Sequence, residues 1–184
     1  WCRAVVKLSG LWVTARIVPH MSTPSLPHRP RTVLVTGAAK RLGRSIALAL
    51  AAGGWQVAVH YRSSAQDAIN TVAACAQMTS ASAHFDADFE DEAAVRGLLP
   101  RVVAHFGHLD AVVNSASLFE HDDAATFSFA ALEKHLRSNT ATPVLLAQAL
   151  HQHVADRVAA GEADAQGAVV NLLDQKLWNQ NPDF

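Results

Sequence analysis

From Thr32 to Leu173, short runs of β-branched and apolar residues alternate with segments of helical period, and this alternation constrains the fold more than any other feature. Thr32-Val-Leu-Val-Thr36, bounded by Pro30 and Gly37, predicts a buried strand. Leu42, Ile46, Ala49 and Leu50 then share one helical face, and Gly53-Gly54 ends that helix where a left-handed residue is wanted. Gln56 to His60 reads as a second strand, and Ile69, Val72, Ala73 and Ala76 mark the next helix. Ala83 to Asp86 is a third strand. The helix that follows, Asp91 to Phe106, carries Val95, Leu98, Leu99, Val102 and Phe106 on one face and is expected to kink at Pro100. Leu109 to Val113 is a fourth strand, Ser128 to Val154 one or two long helices, and Ala168 to Leu173 a fifth strand. Strands and helices in this order require right-handed crossovers and a parallel, doubly wound α/β sheet.

A chain of 184 residues, half of them apolar, is long enough for one domain with its own core. Fifteen Lys and Arg oppose sixteen Asp and Glu, a net charge of -1, which gives no electrostatic case for a nucleic-acid partner. No uninterrupted apolar window approaches the roughly eighteen residues of a membrane span. Cys2 and Cys75 are too few for a disulfide framework or a metal knuckle, and a reducing, cytoplasmic setting is expected. Ten histidines invite a metal hypothesis, but His151 and His153 lie two apart on a helix and point to different faces, so no metal site is assigned. Cys75 falls on a buried helical face and reads as core.

The first residue is Trp1, and Met21 opens a proline-rich run to Pro30 with no apolar period. Met21 is expected to be the natural start, with residues 1–30 a non-native or flexible extension, residues 1–20 belonging to no fold, and residues 31–184 the folded domain. Lys7, Arg16 and Pro19 interrupt any secretory signal. A transit peptide is the stronger rival, since residues 1–66 hold nine Lys and Arg and no acid. Four of those nine are Lys40, Arg41, Arg44 and Arg62, which phosphate binding accounts for.

Between the first strand and its helix stands Thr36-Gly37-Ala-Ala-Lys40-Arg41-Leu42-Gly43. One glycine allows the tight turn, the second lets the helix pack closely, and the helix N-terminus offers free N–H groups to a pyrophosphate. The second strand ends in Tyr61-Arg62-Ser63-Ser64, with no acid to hold ribose hydroxyls. A guanidinium and hydroxyls favour a 2′-phosphate, so NADPH is the expected cofactor.

With these residues the chain resembles the short-chain dehydrogenase/reductase superfamily, whose turn reads TGxxxGxG, and the fold is expected to be Rossmann-like. Arg41 stands at the middle glycine, a change shared with the pteridine reductase and dihydromonapterin reductase group. The resemblance implies cofactor contacts from Gly37, Arg41, Leu42, Gly43, Tyr61, Arg62 and Ser63, and from the acidic-hydrophobic pair Asp88-Phe89 at the adenine. Asn114-Ser-Ala116-Ser117 resembles the segment lining the nicotinamide side, with Ser115 and Ser117 replacing an asparagine and a glycine. It further implies substrate contacts from Arg41 and Ser117, and stacking of a pterin ring on Phe119. Asn139 matches the asparagine of a proton path. Asp174, where most of the superfamily has serine, matches an acid that helps protonate a ring nitrogen. The implied activity is NADPH-dependent reduction of a pterin or dihydrofolate-like C=N bond, in a protein that forms homo-oligomers. A 3-oxoacyl-type carbonyl reductase and a non-catalytic NADP-binding sensor are the alternatives. By family analogy a Tyr-x-x-x-Lys pair should follow Asp174 by about a dozen residues, past Phe184. The sheet is therefore expected to be incomplete at its C-terminal end, with an exposed edge, and the polypeptide inactive as it stands.

Overall fold

The computed structural model describes residues 2–8, 11–17, 29–120 and 124–173. β1 (Cys2–Leu8) and β2 (Leu11–Ile17) pair antiparallel as a separate two-stranded sheet. Residues 1–20 were expected to belong to no fold, and this hairpin shares no strand pairing with the main sheet. Its register pairs Val5 with Thr14 and Val6 with Val13. Met21 lies outside the described residues.

The main sheet contains β3 (Thr32–Val35), β4 (Gln56–Tyr61), β5 (Ser82–Asp86), β6 (Ala111–Asn114) and β7 (Ala168–Asn171). All pairs are parallel, in the order β5-β4-β3-β6-β7. The connecting helices are α1 (Arg41–Ala52), α2 (Ala65–Cys75), α3 (Glu92–Phe106), α4 (Phe129–Leu136) and α5 (Thr142–Ala159). This is the expected doubly wound, Rossmann-like sheet. Helix α3 runs on past Pro100, and Gly54, at φ 81, takes the left-handed place after α1.

Two apolar layers hold the sheet. On one face Val33, Val35, Val57 and Val59 pack against Ala47 and Ala51 of α1 and Ala68 and Cys75 of α2. On the other, Leu34, Ala58 and Val112 pack against Val95, Leu98, Leu99 and Val102 of α3 and Leu146 and Leu150 of α5. Alternate residues of one strand serve opposite faces, which explains why β3 is a continuous apolar run buried on both sides. Cys75 is core, and burial pushes its thiol pKa up. β7 is an edge strand, all four of its residues exposed.

At the amino ends of the strands a polar cluster joins distant segments. The Asp110 carboxylate accepts from the Thr32 backbone N–H at 2.9 Å and pairs with Arg157 at 3.0 Å and Arg29 at 3.3 Å. Arg157 also donates to the Leu109 carbonyl and to Glu162, whose pKa falls to about 2 through hydrogen bonds from Arg157 and Arg29. His153 accepts from the Leu109 N–H, a structural role for one of the paired helix histidines.

Candidate functional site

Strand order reverses between β3 and β6, the point at which a parallel sheet opens a crevice at its carboxyl end. Thr36, 1% exposed, spans that crevice: its Oγ1 accepts from the Ser115 and Ala116 N–H groups at 3.0 and 2.9 Å, and its own N–H donates to the Val113 carbonyl. Gly37 follows at φ 64, and a Cβ there would sit 2.9 Å from the Ala116 Cα. At Gly43 a Cβ would sit 2.3 Å from the Gly37 carbonyl oxygen, so α1 approaches the turn as only glycine permits.

Beyond the turn lies a cavity of about 480 Å³. Its lining brings together Gly37, Arg41, Leu42 and Gly43 from the turn, and Tyr61, Arg62 and Ser63 from the end of β4. Asp88 and Phe89 enter from beyond β5, and Ala116 and Ser117 from beyond β6. Asn114 is 6% exposed behind this wall, its Nδ2 donating to Asn171 Oδ1 at 2.8 Å. Phe119 lies outside the lining and is 67% exposed. Asp174 lies outside the described residues.

Asn139 sits on a π-helical turn, Arg137–Ala141, between α4 and α5. Its side chain grips Leu118 twice: Oδ1 accepts from the Leu118 N–H and Nδ2 donates to the Leu118 carbonyl, both at 2.8 Å. The wide turn also settles the sequence's awkward Pro143, which falls in the first turn of α5, where an N–H is not needed. Asn139 thus positions the segment that carries Ser117, and Ser138 beside it lines the cavity.

The site also contains residues that the sequence did not single out. His60 lies at the cavity wall, 2% exposed, its ring stacked on Phe89 with centroids 4.2 Å apart. Thr71 Oγ1 donates to the Ala39 carbonyl and braces the turn from α2. Glu90 pairs with Arg62 at 3.5 Å, and Asp67 with Lys40 at 2.9 Å. Histidines and threonines carry no spacing signal of their own, and these contacts depend on strands brought together by the fold.

The residues suit a dinucleotide phosphate. The N-cap residue of α1, Lys40, makes no side-chain capping bond, which leaves first-turn amides for a ligand beside the cavity. Arg41, Arg62, Ser63 and Ser64 supply cations and hydroxyls around it.

A parallel sheet with a glycine turn at its switch point and a cavity beyond it defines a doubly wound, Rossmann-like α/β protein. The chain belongs to the short chain dehydrogenase family, whose model matches residues 31–173. It is similar to FolM alternative dihydrofolate reductase 1 from Brucella suis, solved in complex with NADP. The identity is 32% and the TM-score 0.73, over 83% of this chain and 60% of that one. A short chain dehydrogenase from Burkholderia cenocepacia, also in complex with NADP, is 33% identical with a TM-score of 0.64, over 67% of this chain and 50% of that one. The 3-oxoacyl-(acyl-carrier-protein) reductase FabG of Staphylococcus aureus is 39% identical over 88 residues, 48% of this chain and 36% of that protein. The chain therefore spans well under two thirds of the length of these relatives.

Proposed function

We propose that this chain is the nucleotide-binding part of an NADPH-dependent reductase that reduces a C=N bond of a pterin or dihydrofolate-like ring. One observation carries the reading: Arg41 and Arg62 line the cavity with Ser63 and Ser64, at positions where an NAD-binding relative would place glycine and a carboxylate. Guanidinium groups there attract a 2′-phosphate, whereas a carboxylate would repel it. The cofactor, once bound, supplies hydride to carbon. Gly37, Leu42 and Gly43 would cradle its pyrophosphate, Tyr61, Arg62 and Ser63 its ribose phosphate, and Asp88 and Phe89 its adenine. Asn114, Ala116 and Ser117 would border the nicotinamide.

The substrate class rests on Arg41, on Ser117 and on the likeness to the Brucella enzyme. Phe119, the residue after Leu118 of the cavity wall, would stack the ring. Asn139 and Asp174 would serve proton delivery to nitrogen, Asn139 through its hold on Leu118. The apolar side chains of Phe129, Leu132, Leu136 and Val144, all exposed along α4 and α5, support self-association.

The test uses the product of the full coding sequence, assayed for NADPH and NADH oxidation with dihydrobiopterin, dihydrofolate and a 3-oxoester. Pterin turnover with NADPH is the expected result. Faster turnover of the 3-oxoester would favour the carbonyl reductase reading, for which the likeness to the Staphylococcus enzyme speaks. NADPH binding without turnover of any of the three would leave a nucleotide sensor.

A further inference from the structure

His60 occupies the penultimate position of β4 and touches both the Gly37 turn and the Ala87–Phe89 turn, which line the cavity. Its Nδ1 accepts from the Gly37 N–H at 3.1 Å, and its Nε2 lies 3.1 Å from the Ala87 carbonyl oxygen. A carbonyl can only accept, so Nε2 must carry the proton, and an amide can only donate, so Nδ1 must be bare. Both bonds form only in the neutral Nε2–H tautomer. The backbone carbonyl of His60 takes the next amide of the turn, Ala38 N–H, at 2.9 Å, while the ring lies flat on Phe89, 3° from parallel. One residue thus holds the glycine turn on one side and the Ala87–Phe89 turn on the other.

We propose that His60 is a positioning residue of the nucleotide cleft: it fixes the spacing between the Gly37 turn and the Ala87–Phe89 turn, and so pre-assembles the half of the cleft that takes the adenosine 2′-phosphate end of a dinucleotide. This rests on the dinucleotide reading of the cavity. An aliphatic residue could fill the same volume, but it could not accept from Gly37 and donate to Ala87 together. Burial supports the assignment, since it holds the imidazole pKa down to about 4 and keeps the ring neutral under ordinary conditions. Pre-organised walls bind more tightly because a ligand need not order them.

Two variants separate positioning from packing. His60→Phe keeps a flat ring against Phe89 and removes both hydrogen bonds, while His60→Asn retains an acceptor for the Gly37 N–H. Titration calorimetry with NADPH and with adenosine 2′,5′-bisphosphate, below each protein's melting temperature, should show both Kd values raised about tenfold or more in His60→Phe. His60→Asn should recover part of that loss. Folded variants that bind within about twofold of the parent, with only Tm lowered, would overturn the proposal. Nitrogen NMR of the parent protein is independent of how the variants fold: it should find a neutral Nε2–H imidazole and a protected Gly37 amide, and an Nδ1–H or charged ring would overturn it as well. A parent protein that binds neither nucleotide yet shows the expected tautomer would overturn the dinucleotide reading, and this proposal with it. Normal binding by the variants would remove the role of His60 alone.

Discussion

Arg41 is the non-glycine residue with positive φ among the described residues, at 49°, in the place where the superfamily's turn has glycine. A side chain there costs roughly 1–2 kcal/mol of backbone strain, at a residue that lines the cavity. Arg41→Gly should therefore raise unfolding free energy by about 1 kcal/mol in denaturant melts. On the proposed reading, the same change should weaken NADPH about tenfold in titrations, through loss of one charge-assisted phosphate contact. His60 makes a second prediction. Its folded pKa of about 4 lies below the value near 6.5 of an unfolded histidine, so the unfolded chain binds more protons between those values. The stability linked to this ring is complete above about pH 6.5 and declines as pH falls toward 4, by roughly 3 kcal/mol in all. Arg101 and Asp86, the charged groups nearest in effect, act in opposite directions on it. Melts at pH 7, 5.5 and 4.5 on the parent and on His60→Phe, which cannot titrate, isolate this contribution.

The π-helical turn between α4 and α5 shows how an element serves a site. Its extra residue brings Asn139 round to the Leu118 backbone, while Thr142 Oγ1 donates to the Arg137 carbonyl at 3.0 Å and closes the widened ring. Asn139→Ala should cost about 1 kcal/mol, since water can replace part of what the Leu118 amide and carbonyl lose at this exposed contact. On the proposed reading, it should lower kcat of the full-length product more than it raises the KM for NADPH, because Leu118 would lie at the nicotinamide side and the adenosine would be held by other residues. Steady-state kinetics read that split. The five strands and the helices between them could be read from the sequence because burial imposes a period on apolar residues. The glycine turn could be read because Gly37 and Gly43 answer to backbone geometry that other residues cannot meet. The π turn had no such signature beyond Pro143, and His60 had none, since its two partners lie 23 and 27 residues away and meet it only in the sheet.

Asp110 ties the folded chain together at the end opposite the cavity. Its carboxylate, 11% exposed, collects the β3 amide of Thr32, Arg157 at the end of α5, and Arg29 from the segment before the sheet. Asp110→Ala should destabilise the protein by about 2–4 kcal/mol, since it leaves a half-buried Arg157 with one anion fewer and a strand amide without its acceptor. Chemical denaturation measures this, and Glu162→Ala, at the exposed rim of the same cluster, should cost clearly less. This network was invisible in the sequence, because its members come from the start of β3, the start of β6, the end of α5 and the chain before Arg31.

The bond from Thr36 to Val113 joins residues 77 positions apart, whereas β3 meets β4 across a separation of only 24. Closing the longer loop costs about 1 kcal/mol more chain entropy, and the strands on either side of the crevice are the pair that must accept it. The crevice is thus a seam in the order of assembly as well as in space. A ligand that binds the folded form at both lips of the seam stabilises this long strand closure by mass action. On the proposed reading the dinucleotide is such a ligand, and its supply would raise the yield of folded protein through one junction, between Thr36 and the Ser115–Ala116 amides.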